Sequence, residues 1–592
     1  MHYKLSFYLS FFAAVAVQAQ PSLRSVPVPQ PTNVDPYIRD RAALTLLGKA
    51  LFWDMQVGSD GRTACATCHF HAGADHRSQH QLANPNFSFP LNATLTSSDF
   101  PFHALSDPTN NNSTVLRSNS SIYGSAGTFR RKFTALNFSS GNDDGYDLAD
   151  LASFAVDGLN LRQVTNRNSP SVINAVFNAR NFWDGRAKNV FNGNSPFGTA
   201  DTEAAVLVYR NGQLQSEKVN STKASLASQA VGPPTNNVEM AYDGLKWPTL
   251  GQRMLSLRPL ANQRVAEDDS VLGPFVNASA KGLHPSITYG SLVQTAFAPE
   301  YWQSPEGRDG FSQAESNFAL FFGLALQRYQ STLVSDDSPF DRFAAGDPAA
   351  MTQQQINGLN LFRGRAECNT CHSGPEFTAA SIGALLNNGG RGGPPNAGPD
   401  TGFFRTGVTP REWDLGLGGV DDFGNPLSRN PNAPNVQGAF KTPGLRNVEF
   451  TGPYFHNGGQ ATLEQVMEFY NRGGDFPAGG LGPNVRRLNL NANDRAALVA
   501  FMKALSDDRV KFQRAPFDHP ELCIPNGHTS TAQTSDARFT LSADENWVAI
   551  SATGKAGTDA PLQTFAEMLE GVGNDGSRAN HLSQACPVNP AN

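Results

Sequence analysis

The sequence predicts a mainly α-helical protein of two domains with long loop insertions, and three observations lead there. First, the pattern C-x-x-C-H occurs twice, at Cys65-Ala66-Thr67-Cys68-His69 and at Cys368-Asn369-Thr370-Cys371-His372, about 300 residues apart in a chain of 592. Second, apolar residues recur at helical spacing at Ala43, Leu44, Leu47 and Leu51, again in 310–334 through Phe318, Leu320, Phe321, Leu324 and Leu326, and again at Leu463, Val466, Met467 and Tyr470. Third, residues 83–145 and 379–437 are dense in Asn, Ser, Gly and Pro and read as insertions with little regular structure.

Composition bounds the answer. A chain that is 39% hydrophobic and 17% charged is globular, not disordered. A net charge of −6 argues against a nucleic-acid binder, which carries a basic face. No internal run reaches the roughly 18 apolar residues of a membrane span. In chain order, residues 1–19 read as a secretory signal: a weak basic start at His2 and Lys4, an apolar run from Leu5 to Val17, and small residues at Val17-Gln18-Ala19. Residues 20–40 are Pro-rich and extended. A helix then leads through Leu51-Phe52-Trp53-Asp54 into the first C-x-x-C-H. After the second, Leu463 to Tyr470 is a helix, and Asn493 is the expected N-cap of a last helix through Leu505. The tail, 515–592, carries no motif. Its Cys523 and Cys586 are expected to pair as a disulfide in an exported protein.

The C-x-x-C-H spacing has a chemical reason. Two thiols three residues apart can add to the two vinyl groups of one porphyrin, and the following histidine is then held beneath the iron. Four of the six cysteines lie in these motifs. Zinc is a poor alternative, because adjacent Cys and His rarely close a tetrahedral site and no second C-x-x-C lies near either motif. A thioredoxin-like pair would need a βαβ context that is missing. The expectation is two covalent haems, on Cys65, Cys68 and His69 and on Cys368, Cys371 and His372, in two cytochrome-c-like domains.

Further stretches make the reading specific. Arg167-Asn168-Ser169-Pro170-Ser171-Val172-Ile173-Asn174 and Asn181-Phe182-Trp183-Asp184-Gly185-Arg186 follow the first motif. Lys441-Thr442-Pro443-Gly444-Leu445-Arg446-Asn447-Val448 and Thr451-Gly452-Pro453-Tyr454-Phe455-His456-Asn457-Gly458 follow the second. The chain resembles the bacterial di-haem cytochrome c peroxidases, including their MauG-type branch, over about residues 38–514. Phe191-Asn192-Gly193 and Pro196-Phe197-Gly198 resemble the longer members, among them the secreted rubber oxygenases. The resemblance implies an N-terminal haem domain over 20–340 with the peroxide site, a C-terminal electron-transfer haem domain over 341–514, and an extension over 515–592.

It also implies residue roles. Glu239, in Val238-Glu239-Met240, resembles the distal carboxylate that moves a proton during O–O cleavage. Trp183 resembles the tryptophan between the two haems. Asn168, with Thr451 and Pro453 through their backbone carbonyls, matches a calcium site at the domain interface, and oxygen ligands suit that cation. Peroxidases of the family can cap the first haem with a loop histidine before R-N-x-P, yet residues 141–167 contain none, so an open first iron is expected. His71, His76, His80 and His103 lie too near the first motif to match that loop, although one could fold back. For the second haem, the family's sixth ligand lies fourteen residues after the histidine of P-Y-F-H; from His456 this is Tyr470, as in the MauG-type branch, with Met467 one turn earlier as the competitor.

The expected function is a periplasmic or secreted peroxidase that reduces hydrogen peroxide at the first haem. Electrons would come from a small donor such as a cytochrome c or a cupredoxin and enter through the second haem. One alternative is an oxygenase that uses dioxygen on an organic substrate, with Phe197 in an apolar pocket over the first haem. Another is an electron carrier with both irons six-coordinate.

Overall fold

Two helix pairs, each with a glycine at the crossing, organise the two halves of the chain. Helix Arg41–Trp53 lies against helix Phe318–Gln330, and a Cβ on Gly48 would sit 2.0 Å from the Ala325 carbonyl oxygen. Helix Gln353–Arg363 lies against helix Ala492–Lys503, and a Cβ on Gly358 would sit 2.0 Å from the Ala497 carbonyl oxygen. Any side chain at either position would push two backbones apart, so glycine is required there despite a helix cost of about 0.5–1 kcal/mol. The first helix of each pair precedes a C-x-x-C-H motif in the chain: Arg41–Trp53 comes before Cys65 and Gln353–Arg363 before Cys368.

These features belong to a computed structural model, which describes residues 20–83, 90–138, 142–148, 154–277, 281–386, 400–478, 480–533, 538–572 and 586. The signal reading of 1–19 and parts of both insertions lie outside the described residues. Among the described residues, no helix is long and apolar enough to cross a membrane.

Local chemistry explains the helix ends. Asp40 accepts from the backbone N–H groups of Ala42 and Ala43 at 2.8 and 3.0 Å. Thr352 and Gln355 form a reciprocal capping box. The last helix is capped by Asn491, not Asn493: the Asn491 side chain accepts from the Asp494 N–H at 2.9 Å, and the Asp494 carboxylate accepts from the Asn491 N–H at 3.0 Å. Asn493 falls inside the first turn, because a capping box needs its acidic partner three residues on and only Asn491 has one.

Phe318–Gln330 is apolar almost all round and is buried on nearly every face. It is the centre of a large core that takes in residues from Val34 to Leu333 and, from the far end of the chain, Phe517, Leu522, Ile524 and Ile550. A second core holds residues from Phe340 to Leu505, with Phe340, Phe362, Phe377 and Phe501 packed ring to ring.

Helix outweighs strand, though the fold holds more strand than the expectation of a mainly α protein included. Among the described residues, 28% are helix and 17% strand. Before residue 515 the strands are two to five residues long, and every sheet among the described residues has two strands. Much of the 83–145 insertion is folded in this way: His103–Leu105 pairs with Val115–Ser118, Arg131–Ala135 with Asp144–Asp147, and Ala126–Phe129 with Arg162–Val164 beyond it. Strands of three to five residues are too short for an alternating pattern to stand out between Asn- and Ser-rich turns.

The 515–592 extension is built into the first core. Its strands Leu522–Gln533 and Ala543–Ile550 form an antiparallel hairpin. Lys49, fully buried on the first helix, meets Asp269 at 2.8 Å and Asp518 of the extension at 3.1 Å. Buried Arg162 pairs with Asp60 at 2.8 Å and with Glu545 of the hairpin. Cys523 and Cys586 form a disulfide.

Candidate functional site

Each C-x-x-C-H motif opens on its own cavity. The first, about 960 Å³, is lined by Cys65, Cys68 and His69, with Glu239, Arg186, Gln229, Gln330 and Trp183 among its other walls. The second, about 1280 Å³, is lined by Cys368, Cys371 and His372, with Tyr470, Met467, His456, Lys441 and Trp183 among the rest. All four motif thiols are free, and burial pushes each up to about 12.

The imidazoles are oriented for iron. His69 Nδ1 lies 2.9 Å from the Gly73 carbonyl. His372 Nδ1 lies 3.2 Å from the carbonyls of both Phe377 and Pro443. A carbonyl can only accept, so Nδ1 carries the proton and Nε2 keeps its lone pair for a metal. Burial lowers the basicity of both rings, which favours the neutral, ligating form. Two free thiols, an oriented imidazole and a large cavity at each motif fit a covalently held haem.

Glu239 faces the first cavity, half-buried. Its segment is held from outside: the Thr128 N–H donates to the Val238 carbonyl at 3.0 Å, and a Cβ on Gly127 would meet that carbonyl oxygen at 2.1 Å. The folded insertion therefore presses directly on the segment that carries Glu239. Burial raises the pKa of this carboxyl and the Arg186 charge lowers it. Arg186 in turn donates to Asp184 at 2.9 Å. Burial alone would raise Asp184, but Arg186 and Arg167 hold it down at about 2. Arg186, Gln229 and Gln330 are wall residues that the sequence reading did not single out. Arg186 at least stood within a quoted motif, whereas nothing in the sequence marks the two glutamines.

Trp183 lines both cavities. Its indole N–H donates to the Asn168 carbonyl at 2.7 Å, and its own carbonyl accepts from the Lys441 N–H at 2.7 Å. The turn around it is set by Phe182 at φ 60° and Gly185 at φ 70°; a Cβ on Gly185 would meet the Phe403 ring at 2.5 Å.

Asn168, Thr451 and Pro453 line a third cavity, of about 820 Å³, whose wall shares Trp183 with the other two. Asn168 Nδ2 donates to the Pro453 carbonyl at 2.6 Å, while its Oδ1 is buried with no hydrogen-bond partner. Tyr470 and Met467 both border the second cavity, so the structure brings together both candidate ligands. Met467 is buried, and the Tyr470 ring meets Phe455 and Phe469 edge-on. His456 stacks on Phe440 at 3.7 Å and lies 6.3 Å from the Trp183 ring.

The other histidines are engaged elsewhere. His71 Nε2 lies 2.8 Å from the Gln563 carbonyl of the extension, His80 Nε2 lies 2.7 Å from the Arg162 carbonyl, and His71 stacks on His76. His103 Nδ1 lies 3.0 Å from Ser118 Oγ. None of the four lines the first cavity. Phe197, which the oxygenase alternative would put in an apolar pocket there, does not line it either: its ring packs edge-on against exposed Phe423, 5.5 Å away.

The di-haem cytochrome c peroxidase family model matches residues 141–349, the stretch between the two motifs that contains Trp183 and Glu239. This part of the chain is similar to that family. Similar proteins include cytochrome-c peroxidase IdrP2 of Denitromonas iodatirespirans, 34% identical over 252 residues, covering 41% of this chain and 63% of that protein. Methylamine utilization protein MauG of Methylorubrum extorquens is 32% identical over 202 residues, covering 34% and 48%. The chain thus spans less than two thirds of the length of either relative. A solved MauG-like protein associated with microbial copper homeostasis superposes with a TM-score of 0.42 at 19% identity, over 83% of this chain and 97% of that one. The matching family is described as di-haem, and both C-x-x-C-H cavities suit a covalently held haem.

Proposed function

We propose that this protein is a di-haem peroxidase that reduces hydrogen peroxide in the first cavity with electrons delivered by way of the second. The observation that carries the reading is Glu239 facing the Cys65–Cys68–His69 cavity while Trp183 lines that cavity and its partner. Haem supplies the redox-active iron at each motif. The rest is the work of the chain. Glu239 takes a proton from one peroxide oxygen and returns it to the other, a task for a positioned carboxylate. The Arg186 charge favours the ionised form of that carboxylate, in opposition to burial. Trp183 offers an oxidisable π system in the wall shared by the two cavities. The first cavity keeps space for peroxide because His71, His76, His80 and His103 all lie elsewhere. The donor is a small redox protein, and the protein works in the periplasm or outside the cell, as supported by the 1–19 leader pattern and the Cys523–Cys586 bond.

The purified protein should stain for covalent haem after denaturation, show an intact mass with two haems, and oxidise a reduced small c-type cytochrome only when peroxide is added. A mass with one haem, or no peroxide-dependent oxidation, refutes the reading.

Tyr470 is assigned as the sixth ligand of the second haem. Support comes from its place in the cavity wall and its fourteen-residue distance from His456. A phenolate oxygen stabilises ferric iron, whereas a methionine ligand raises the potential. Tyr470→Met should therefore raise the second haem's potential, and Met467→Leu should leave its spectrum unchanged. Conversion of that haem to high spin by Met467→Leu would transfer the role to Met467.

Calcium is assigned to the third cavity. The amide oxygen and nitrogen of Asn168 are interchangeable in assignment. With Oδ1 turned towards the Pro453 carbonyl, two oxygens would converge, as a hard cation requires. Exhaustive chelation should release one calcium per chain and slow peroxide turnover; unchanged metal content and activity would remove the site.

A further inference from the structure

We infer that Lys441 is the counter-charge for a carboxylate of the second haem, holding a propionate side chain in the wall of that cavity. Lys441 sits in the short strand Phe440–Lys441, paired with Phe403–Phe404. Its backbone N–H is fixed by the Trp183 carbonyl at 2.7 Å, and the residue is 5% exposed. It lines the second cavity and the neighbouring third one. Among the described residues no carboxylate lies within ion-pair distance of its ammonium, and burial pushes it down to about 8 with no neighbouring charge acting the other way.

The contrast with Lys49 is instructive. That lysine is equally buried, and the chain surrounds it with Asp269 and Asp518. A buried ammonium without an anion is costly enough that it is normally paired or loses its proton. Among the described residues no carboxylate pairs with Lys441; Glu376, on the wall of the third cavity, has Arg446 as its opposing charge. The one carboxylate on the second cavity's wall, Glu367, is half-exposed and pairs with Arg486 at 3.3 Å. The missing partner must therefore come with what fills the cavity. A haem attached at Cys368 and Cys371 keeps two carboxylates, one of which this ammonium can meet. The inference rests on the di-haem reading, which mass and haem staining test separately.

A positive charge at a haem edge favours the form with one more electron, so Lys441 also bears on the potential of the electron-delivering centre. In potentiometric titration of the holoprotein, Lys441→Met should shift the ferric–ferrous equilibrium of the second haem about tenfold towards ferric, about 59 mV for one electron. The first haem should not move, and Lys441→Arg should stay near the wild type. The shift should be the same across chloride and phosphate concentrations. Equal potentials in all three proteins would overturn the proposal. So would a shift that follows added anion, which would make the partner an exogenous ion. A change in calcium content alone would place the ammonium in the third cavity, and that too overturns it. Should Lys441→Met fail to take up haem, the wild type and Lys441→Arg still decide. Reduction-induced infrared difference spectra of protein labelled with ¹⁵N-lysine should show a label-sensitive ammonium band in the first and not in the second; no band in the wild type refutes the assignment.

Discussion

Glu239→Gln is expected to slow peroxide turnover by about 10²-fold or more while leaving both haem spectra nearly unchanged, in line with what a positioned general acid–base contributes. The amide keeps the size of the side chain and its place beside the cavity but cannot accept and return a proton. The pH profile gives a second test. Burial raises the pKa of Glu239, and Arg186 draws it back. The proton-accepting form is the carboxylate, so activity should fall as pH drops through a value above the usual glutamate pKa of about 4.3. Removing the guanidinium charge, as in Arg186→Gln, leaves the burial effect unopposed and should move that acid limb to higher pH. Glu239→Gln should lack the limb altogether. Turnover in Glu239→Gln equal to the wild type would make the residue a bystander.

What could be read in the sequence, and what could not, follows from the length scale of each signal. The C-x-x-C-H motifs are local and chemically constrained, so the cysteines and histidines that line both cavities could be read directly. The helices Arg41–Trp53, Phe318–Gln330 and Leu463–Arg472 are long enough for helical spacing to show. The paired strands of the 83–145 insertion are not, and their partners are set by distant groups such as Arg131, which reaches Asp147 at 3.0 Å and packs over Phe539 at 3.4 Å. Asn493 was a reasonable cap by residue type, but the choice of Asn491 depends on the reciprocal bond from Asp494. Lys441 lies inside the Lys441–Val448 stretch, yet its significance is that no described carboxylate pairs with it, which only three dimensions reveal. The same holds for Phe197: its ring turns towards Phe423, in an insertion more than 200 residues away, and no local pattern encodes that choice.

The extension was unreadable for a related reason, and its contribution to stability is large. Lys49→Met is expected to cost about 3–5 kcal/mol, the range for breaking a buried ion pair by removing one partner. The lysine is fully buried between Asp269 and Asp518, so its loss leaves two carboxylates facing each other out of water. Neither can readily turn away. Asp269 accepts from the N–H groups of Val271 and Leu272 at 2.9 and 2.8 Å, and Asp518 accepts from the N–H and hydroxyl of Ser270 at 2.6 and 2.7 Å. The damage should reach the first cavity's supports, because the residues beyond Asp518 carry His519, stacked on Trp53 at 4.7 Å, and Glu545, paired with Arg162. In urea the unfolding midpoint of the holoprotein should fall sharply at an unchanged slope, which marks lost stability without a change in the surface exposed. Adding Asp269→Asn and Asp518→Asn to Lys49→Met should recover a substantial part of the loss, since the uncompensated charges are then gone. If Lys49→Met unfolds at the wild-type midpoint, the extension is not anchored by this charge cluster.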